Sequence, residues 1–474
     1  MILRHALLPL LCCLAACAHT PTSPPAPDSI NSTWEGGIAQ DAEAAAGVWW
    51  TNFQDPVLDA LIDDAQRRNV DLRLAAERVM GSQALRRAAR AGLFPEISGE
   101  AQLGQTDRGS RASGGNQGGN ASLGLSAIWE PDLSGRLSAA VRVASANVVA
   151  SQADAETVRL LLLQEVASAY VDYRLQRALL RLTERTALAQ EGTLRITRDR
   201  YAFGMVSSLE VSRGETLVAQ TRAEHERAVE NAASARYRLA YLLSTTPDDI
   251  TARLGDGDTI PLANPLQVLA SPAAVLERRP DIRAAAARYA AAAGERDIAI
   301  SARFPLLSLS GLIGVDSGSV SSLFDRGTGI ASVLGSLVMP LLDFGRRQAD
   351  LDAADSTLRQ AGLEYEQVTR AALRETQTAI ISYIQAQAIE VELRRAAEAA
   401  QKAERVSLLQ YDSGTLSQFE VLDAARTVYQ TERDHATSVA DVSARLIALF
   451  RALGSAPESP TAPATPLSGD RRAP

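Results

Sequence analysis

The chain has 474 residues, with 48 basic and 56 acidic side chains and a formal net charge of −8, a balance that leaves no electrostatic footprint for nucleic acid. Aromatic residues make up 5% and histidines number 4, which is thin for a conventional globular core and suits alanine-rich helices packed side by side. All 3 cysteines, Cys12, Cys13 and Cys17, fall at the extreme N-terminal end, so a framework of disulfides is excluded.

Arg4 precedes an apolar run, Ala6 to Leu14, that is too short to span a bilayer as a helix. It ends in Leu14-Ala15-Ala16-Cys17, which resembles the lipobox of bacterial lipoproteins. The resemblance implies removal of residues 1–16 as a signal peptide, with a diacylglycerol and an acyl lipid on Cys17 and no other cofactor. Several acyl chains on one residue make a firm anchor. An ordinary signal peptide with a chance cysteine is the alternative. Ala18 stands where lipoproteins kept at the inner membrane commonly carry aspartate. Residues 17–48 are rich in Pro, Ser and Ala and read as a lipidated, flexible tether.

The first repeat is expected over residues 49–263. It opens with Trp49-Trp50-x-x-Phe53-x-Asp55-Pro56, an anchoring turn in which Pro56 starts a helix continuing to about Gly92. From Ile97 to Gln105, and again from Ala121 to Trp129, apolar or small residues alternate with polar ones. Period two reads as a β-hairpin, about 96–130, around a polar loop. No proline follows Pro131 until Pro247, which permits a helix from about Leu137 to Tyr201, roughly 100 Å at ~1.5 Å per residue. Val158, Leu162, Val166, Ala169 and Tyr173 form its apolar stripe. A tip over 201–210 and a return helix complete the repeat.

The second repeat, 264–454, retraces the first. The tips Tyr201 to Val211 and Tyr411 to Val421 share Tyr, Gly, Ser, Glu and Val at an offset of 210 (411 − 201). In each a glycine, Gly204 or Gly414, ends one helix and a Ser-x-x-Glu capping box, Ser207 to Glu210 or Ser417 to Glu420, starts the next. Asp71-Leu72-Arg73 recurs as Asp281-Ile282-Arg283, and Phe94-Pro95 as Phe304-Pro305. A second hairpin, about 306–341, a long helix from Arg346, the tip 411–420 and a return helix to Leu453 follow. Residues 455–474 read as a disordered tail.

The fold class expected is a mixed α and β membrane protein of two duplicated αββα-type halves. Each chain supplies four strands, too few to close a barrel, and lipid tolerates no open sheet edge. Two chains would give eight strands and three would give twelve. Strand number alone does not choose between them.

Together these features resemble the TolC-like outer-membrane efflux channel family, in its lipoprotein, NodT-type branch. The resemblance rests on the Trp-Trp opening, Glu277-Arg278-Arg279-Pro280-Asp281-Ile282, Phe304-Pro305, the Asp343-Phe344-Gly345-Arg346 turn, the lipobox and the second tip with Val421-Leu422-Asp423-Ala424. It implies a homotrimer anchored in the outer membrane of a Gram-negative bacterium. Twelve strands would form the barrel there, continued by a long α-helical barrel in the periplasm. Partners would be outer-membrane lipid, a periplasmic membrane-fusion adaptor and an inner-membrane RND-type pump, with drugs and other small toxic compounds leaving through a passive duct. Carried across residue by residue, the periplasmic constriction falls on Asp423 and Phe419, with Glu420 as a further acidic position and Tyr411 holding the tip closed. Arg213 stands where the second copy has Asp423, which suggests a link between chains from Arg213 to Asp423 or Glu420. The turns Gly204, Met205, Val206 and Gly414, Thr415, Leu416 match those that meet the adaptor.

Local chemistry offers plainer roles. Glu210 and Glu420 are capping-box residues, and Asp423 could sit on a solvated helix face. His225-Glu226 begins like a zinc-protease motif but fails at Val229, so no metal is expected. No nucleophile elbow or phosphate-binding glycine loop is present, and no enzyme activity is expected. Protein export by a type I secretion system and a periplasm-spanning structural lipoprotein without a pore are the alternative functions.

Overall fold

The computed structural model describes Pro24, Trp34 and residues 39–40, 48–107, 117–263, 268–269 and 271–454. Cys17, the expected leader, most of the tether, the loop 108–116 and the tail 455–474 lie outside the described residues. In chain order the elements are β1 (Ala39–Gln40), a 3-10 turn (Trp49–Phe53), α1 (Pro56–Arg68), α2 (Val70–Ala91), β2 (Glu96–Asp107), β3 (Gln117–Trp129), α3 (Arg136–Ala202), α4 (Ser208–Leu242), α5 (Pro247–Leu254), β4 (Val268–Leu269), α6 (Pro272–Arg278), α7 (Pro280–Ser301), β5 (Leu306–Ser317), β6 (Gly329–Val338), α8 (Arg346–Asp412) and α9 (Gln418–Ala452). The long helices α3 and α8 have 67 residues each and the return helices α4 and α9 have 35 each, which makes the duplication structural. No described helix is long and apolar enough to cross a membrane.

One compact unit takes in Ala76–Asp154 and Asp281–Val368. It holds an antiparallel sheet of order β2-β3-β5-β6. Register places Ile97 opposite Ala127, Leu125 opposite Ile313 and Ile313 opposite Ala331, and paired residues share a face. One face therefore carries Ile97, Leu103, Leu123, Leu125, Ile313, Val333 and Leu337 across all four strands, each left exposed within the chain. The other carries Ser98, Glu100, Gln102, Ser122, Ser126, Ser308, Ser310, Ser332 and Ser336 interspersed with Ile128, Leu306, Leu312, Ile330, Leu334 and Val338, and there Ser126 Oγ donates to Glu100 at 2.9 Å. In the same unit, Arg142–Asp297, Arg288–Asp154 and Arg296–Asp355 ion pairs of 2.7, 2.6 and 2.5 Å link α7 to α3 and α8.

Each hairpin passes into its long helix through an aspartate. Asp132 accepts from the Leu137 and Ser138 backbone N–H groups at 2.9 and 2.7 Å. Burial would raise its pKa, yet the hydrogen bonds from Ser138 and Leu137, with Arg136 beside it, hold it below the ordinary carboxylate value. Asp343 does the same work before α8. Arg347 donates to it at 2.9 Å and Gly345 N–H at 3.1 Å, and these bonds, the Arg347 one foremost, lower its pKa.

The other unit, built on residues 48–75, Ala155–Pro280 and the chain from Thr369 onward, holds the main core. Trp49, Trp50 and Phe53 enter it with Leu58, Ile62, Leu163, Tyr170, Leu239, Ile380, Tyr383, Ile447 and Phe450. Trp49 stacks on Phe450, ring centroids 5.2 Å apart. Beneath the opening turn, Tyr170 Oη donates to Asp55 at 2.7 Å and accepts from Arg174 at 2.8 Å.

The single helix expected from Pro56 to Gly92 is two helices. Asn69 interrupts it in an extended conformation, with φ −58° and ψ 132°. Its side chain accepts from the Asp71 and Leu72 N–H groups at 2.8 and 3.1 Å, so it caps α2. The second copy breaks at the matching residue, Arg279, between α6 and α7.

Candidate functional site

Each long helix ends in the same backbone motif. Gly204 (φ 71°) and Gly414 (φ 73°) adopt the left-handed conformation. Gly204 N–H donates to Tyr201 O at 2.9 Å and Met205 N–H to Arg200 O at 2.9 Å; Gly414 donates to Tyr411 O at 3.0 Å and Thr415 to Gln410 O at 2.9 Å. This paired closure satisfies carbonyls left over at the helix end and requires a residue free of a Cβ clash. Gly204, Met205, Gly414 and Thr415 lie exposed, and Val206 and Leu416 half-buried. Phe203 and Met205 are 81% and 73% exposed, so the first turn presents an uncovered apolar tip.

The two restarts differ. In the second copy Glu420 accepts from the Ser417 N–H at 2.8 Å and from its hydroxyl at 2.6 Å. The hydroxyl bond, then the N–H bond, lower the Glu420 pKa. In the first copy the expected box does not close. Ser207 makes no side-chain cap bond, and the Glu210 N–H donates to the Ser207 carbonyl at 3.2 Å. One carboxylate oxygen of Glu210 is left buried without a partner among the described residues.

Asp423, Phe419 and Arg213 come together around a groove of about 460 Å³ between α4 and α9, lined also by Leu209, Leu422 and Arg426. Arg213 lies over the Phe419 ring, 5.1 Å from its centroid, in the geometry of a cation–π contact. Within the chain Asp423 pairs with Arg426 at 2.9 Å, both side chains half or more exposed. Glu420 and Tyr411 do not line this groove. Tyr411 meets Arg200 instead, which donates to its hydroxyl and sits 4.7 Å from its ring centroid.

Sequence reasoning missed Arg200, Gln418 and Thr197. Gln418, the first residue of α9, is buried and donates to the buried Thr197 hydroxyl of α3. The available signal was asymmetry: Arg200 and Gln418 correspond to Gln410 and Ser208 in the other copy. These departures from the repeat are where the two tips make different contacts. The twin histidines are structural, His225 bonded to Thr183 at 3.2 Å and His435 to Glu390 at 3.0 Å. No cluster of His, Cys, Asp or Glu fit to hold a metal occurs among the described residues.

A family profile described as outer membrane efflux protein matches residues 61–245 and 272–455, one match on each repeat. The outer membrane protein OprJ of Pseudomonas aeruginosa is 31% identical over 451 residues, 93% of each chain. Nodulation protein T of Rhizobium leguminosarum bv. trifolii is 27% identical over 453 residues, 94% of each chain. Among solved structures, the outer-membrane channel OprN superposes with a TM-score of 0.84 at 27% identity, over 92% of this chain and 99% of that one.

Proposed function

The chain belongs to the outer membrane efflux protein family and is an outer-membrane efflux channel, and we propose that it works as a homotrimer, with one twelve-stranded barrel closed from three four-stranded sheets. The observation that carries this is the sheet itself. Its outer strands, β2 and β6, each pair on one side only among the described residues, and its apolar face crosses all four strands. In lipid each open edge needs a partner strand, and the apolar face belongs outward with the serine-rich face lining the lumen. Strands of 12, 13, 12 and 10 residues are long enough for tilted crossings.

In this reading the helices α3, α4, α8 and α9 carry the duct into the periplasm, where the tips form its inner end. The turns Gly204, Met205, Val206 and Gly414, Thr415, Leu416 meet a membrane-fusion adaptor, and an RND-type inner-membrane pump supplies the energy. Asp423 and Phe419 ring the constriction, with Arg213 packed on Phe419. Arg200 on Tyr411 holds the end of α8 against α3, and Gln418 on Thr197 holds the start of α9 there, which keeps the ring narrow. Lipid on Cys17 adds a tether to the outer membrane, and the cargo is small toxic organic compounds.

The test is the mass of the detergent-solubilised protein together with dye export in cells whose own channels are deleted and which carry its adaptor and pump. Three chains per particle and restored export support the reading. A monomer, or a trimer that restores no export with its adaptor and pump bound, contradicts it.

A further inference from the structure

Above the tip, α3, α8 and α9 enclose a cleft of about 300 Å³, at the small end of the range of ligand pockets. Gln190 of α3 lines it and is only 6% exposed, yet both its amide nitrogen and its amide oxygen are buried without a hydrogen-bond partner among the described residues. Such a group costs free energy until something satisfies it. Glu404 of α8 lines the same cleft. Its carboxylate is half-buried, makes no hydrogen bond or ion pair among the described residues, and has its pKa raised by burial first and by neighbouring Glu432 second. Glu432 is already engaged, by Arg185 and by Gln401 Nε2 at 2.6 Å. The rest of the lining is mixed: Val421, Leu422 and Val428 of α9, with Tyr429 beside them, form an apolar side, and its polar groups include Arg185 and Arg405, both largely exposed.

We propose that this cleft binds a small ammonium with an apolar body, its nitrogen held between the Glu404 carboxylate and the Gln190 amide oxygen and its hydrocarbon against Val421, Val428 and Tyr429. Arg185 is closed in its pair with Glu432, which leaves Glu404 as the cleft's carboxylate without a partner among the described residues. A divalent metal would need about six oxygen ligands, more than the cleft's uncommitted groups provide. A primary ammonium fits what is there. Its N–H groups satisfy a carboxylate and an amide oxygen at once, and its body covers the aliphatic wall. Bound there, it would bridge three helices.

The probe is 2-phenylethylammonium, titrated into the full-length protein in nanodiscs, with 2-phenylethanol as its uncharged counterpart and empty nanodiscs as blank. The ammonium should bind about tenfold or more tightly than the alcohol, the factor one charge-assisted hydrogen bond is worth. Glu404→Gln and Gln190→Leu should each remove that advantage while thermal melting shows the fold intact. Should either variant fail to fold, Ala425→Phe, which fills the cleft from α9, must abolish binding. Equal affinity for the two probes, no binding to the native protein at millimolar concentration, or an affinity that ignores Glu404→Gln overturns the proposal. Because the readout is binding alone, its failure leaves the channel reading untouched.

Discussion

Asn69 donates through its side-chain amide to the Leu242 carbonyl at 2.9 Å, and Arg279 donates through its guanidinium to the Ala452 carbonyl at 2.8 Å; each contact spans 173 residues. The two copies thus pin the break in the helix pair before each hairpin to the end of the return helix, at one place and with different chemistry. Both donors are buried, 3% and 8% exposed. Arg279 also reaches Glu375 at 2.8 Å, which the shorter asparagine does not imitate in the first copy.

Asn69→Ala should destabilise the protein by about 2–3 kcal/mol, the cap and the bond to a buried carbonyl being lost together. Asn69→Asp keeps the acceptor for Asp71 and Leu72 but turns a second oxygen toward the buried Leu242 carbonyl, so it should also destabilise, and most where its carboxyl is ionised. Chemical denaturation followed by helical circular dichroism measures both. An Asn69→Ala protein as stable as the native one would show that the break is held by other contacts.

Alkaline pH should destabilise the core through Tyr170. Burial, and then the hydrogen bond to the Asp55 carboxylate, push its pKa well above the usual phenol value. The folded protein therefore keeps the proton that the unfolded chain gives up above about pH 10, and stability falls as pH rises through that range. Urea melts at pH 8 and pH 11 should show a loss in the native protein that is smaller in Tyr170→Phe. At pH 8 that variant should itself be about 1–2 kcal/mol less stable, since Asp55 and Arg174 lose a partner. Equal pH slopes in the two proteins would remove Tyr170 from the account.

At the other extreme, Asp132 has its pKa lowered where β3 turns into α3. Its contribution is present above the ordinary carboxylate value of about 3.9 and disappears as pH falls through the lower, folded value. Thermal melts at pH 5 and pH 3 should show a smaller acid-induced loss in Asp132→Asn than in the native protein. A larger loss in the variant would reverse the sign of the argument.

Inside the sheet, Gly124 and Gly314 pair across β3 and β5. A Cβ on Gly314 would lie 2.5 Å from the Leu123 carbonyl oxygen and 2.7 Å from Gly124 Cα, both backbone atoms with little room to yield. Gly314→Val should therefore weaken the β3–β5 pairing, seen as loss of heat-modifiable migration of the assembled barrel on a gel. Native-like migration and heat resistance would show that the strands separate without penalty.

Much of the fold was legible because duplication writes itself twice. The two tips, the two hairpins and the two long helices each repeat glycine, proline and charge positions that an isolated motif could not establish. Period-two alternation placed the strands because one face had to suit lipid. The break at Asn69 stayed hidden because its cause is tertiary: Leu242 lies far along the chain, and Asn69 alone resembles any helix-interior asparagine. The capping box at Ser207 and Glu210 was over-read, since the motif specifies residues and not which acceptor the Glu210 N–H takes. Asp423, Phe419 and Arg213 were legible as tip residues by register and resemblance. Their common groove, Arg200 on Tyr411 and the unsatisfied Gln190 depend on how α3, α4, α8 and α9 pack, which no single helix records.

The most direct test of the channel and its gate is single-channel conductance in planar bilayers, native protein against Phe419→Ala/Asp423→Ala, with Arg213→Ala alongside. A small conductance that rises several-fold in the double variant, and rises in Arg213→Ala, is the predicted result. Conductance unaltered by the substitutions would keep the channel and move its constriction away from the second tip. No conductance from any of the folded proteins would contradict the account at its centre.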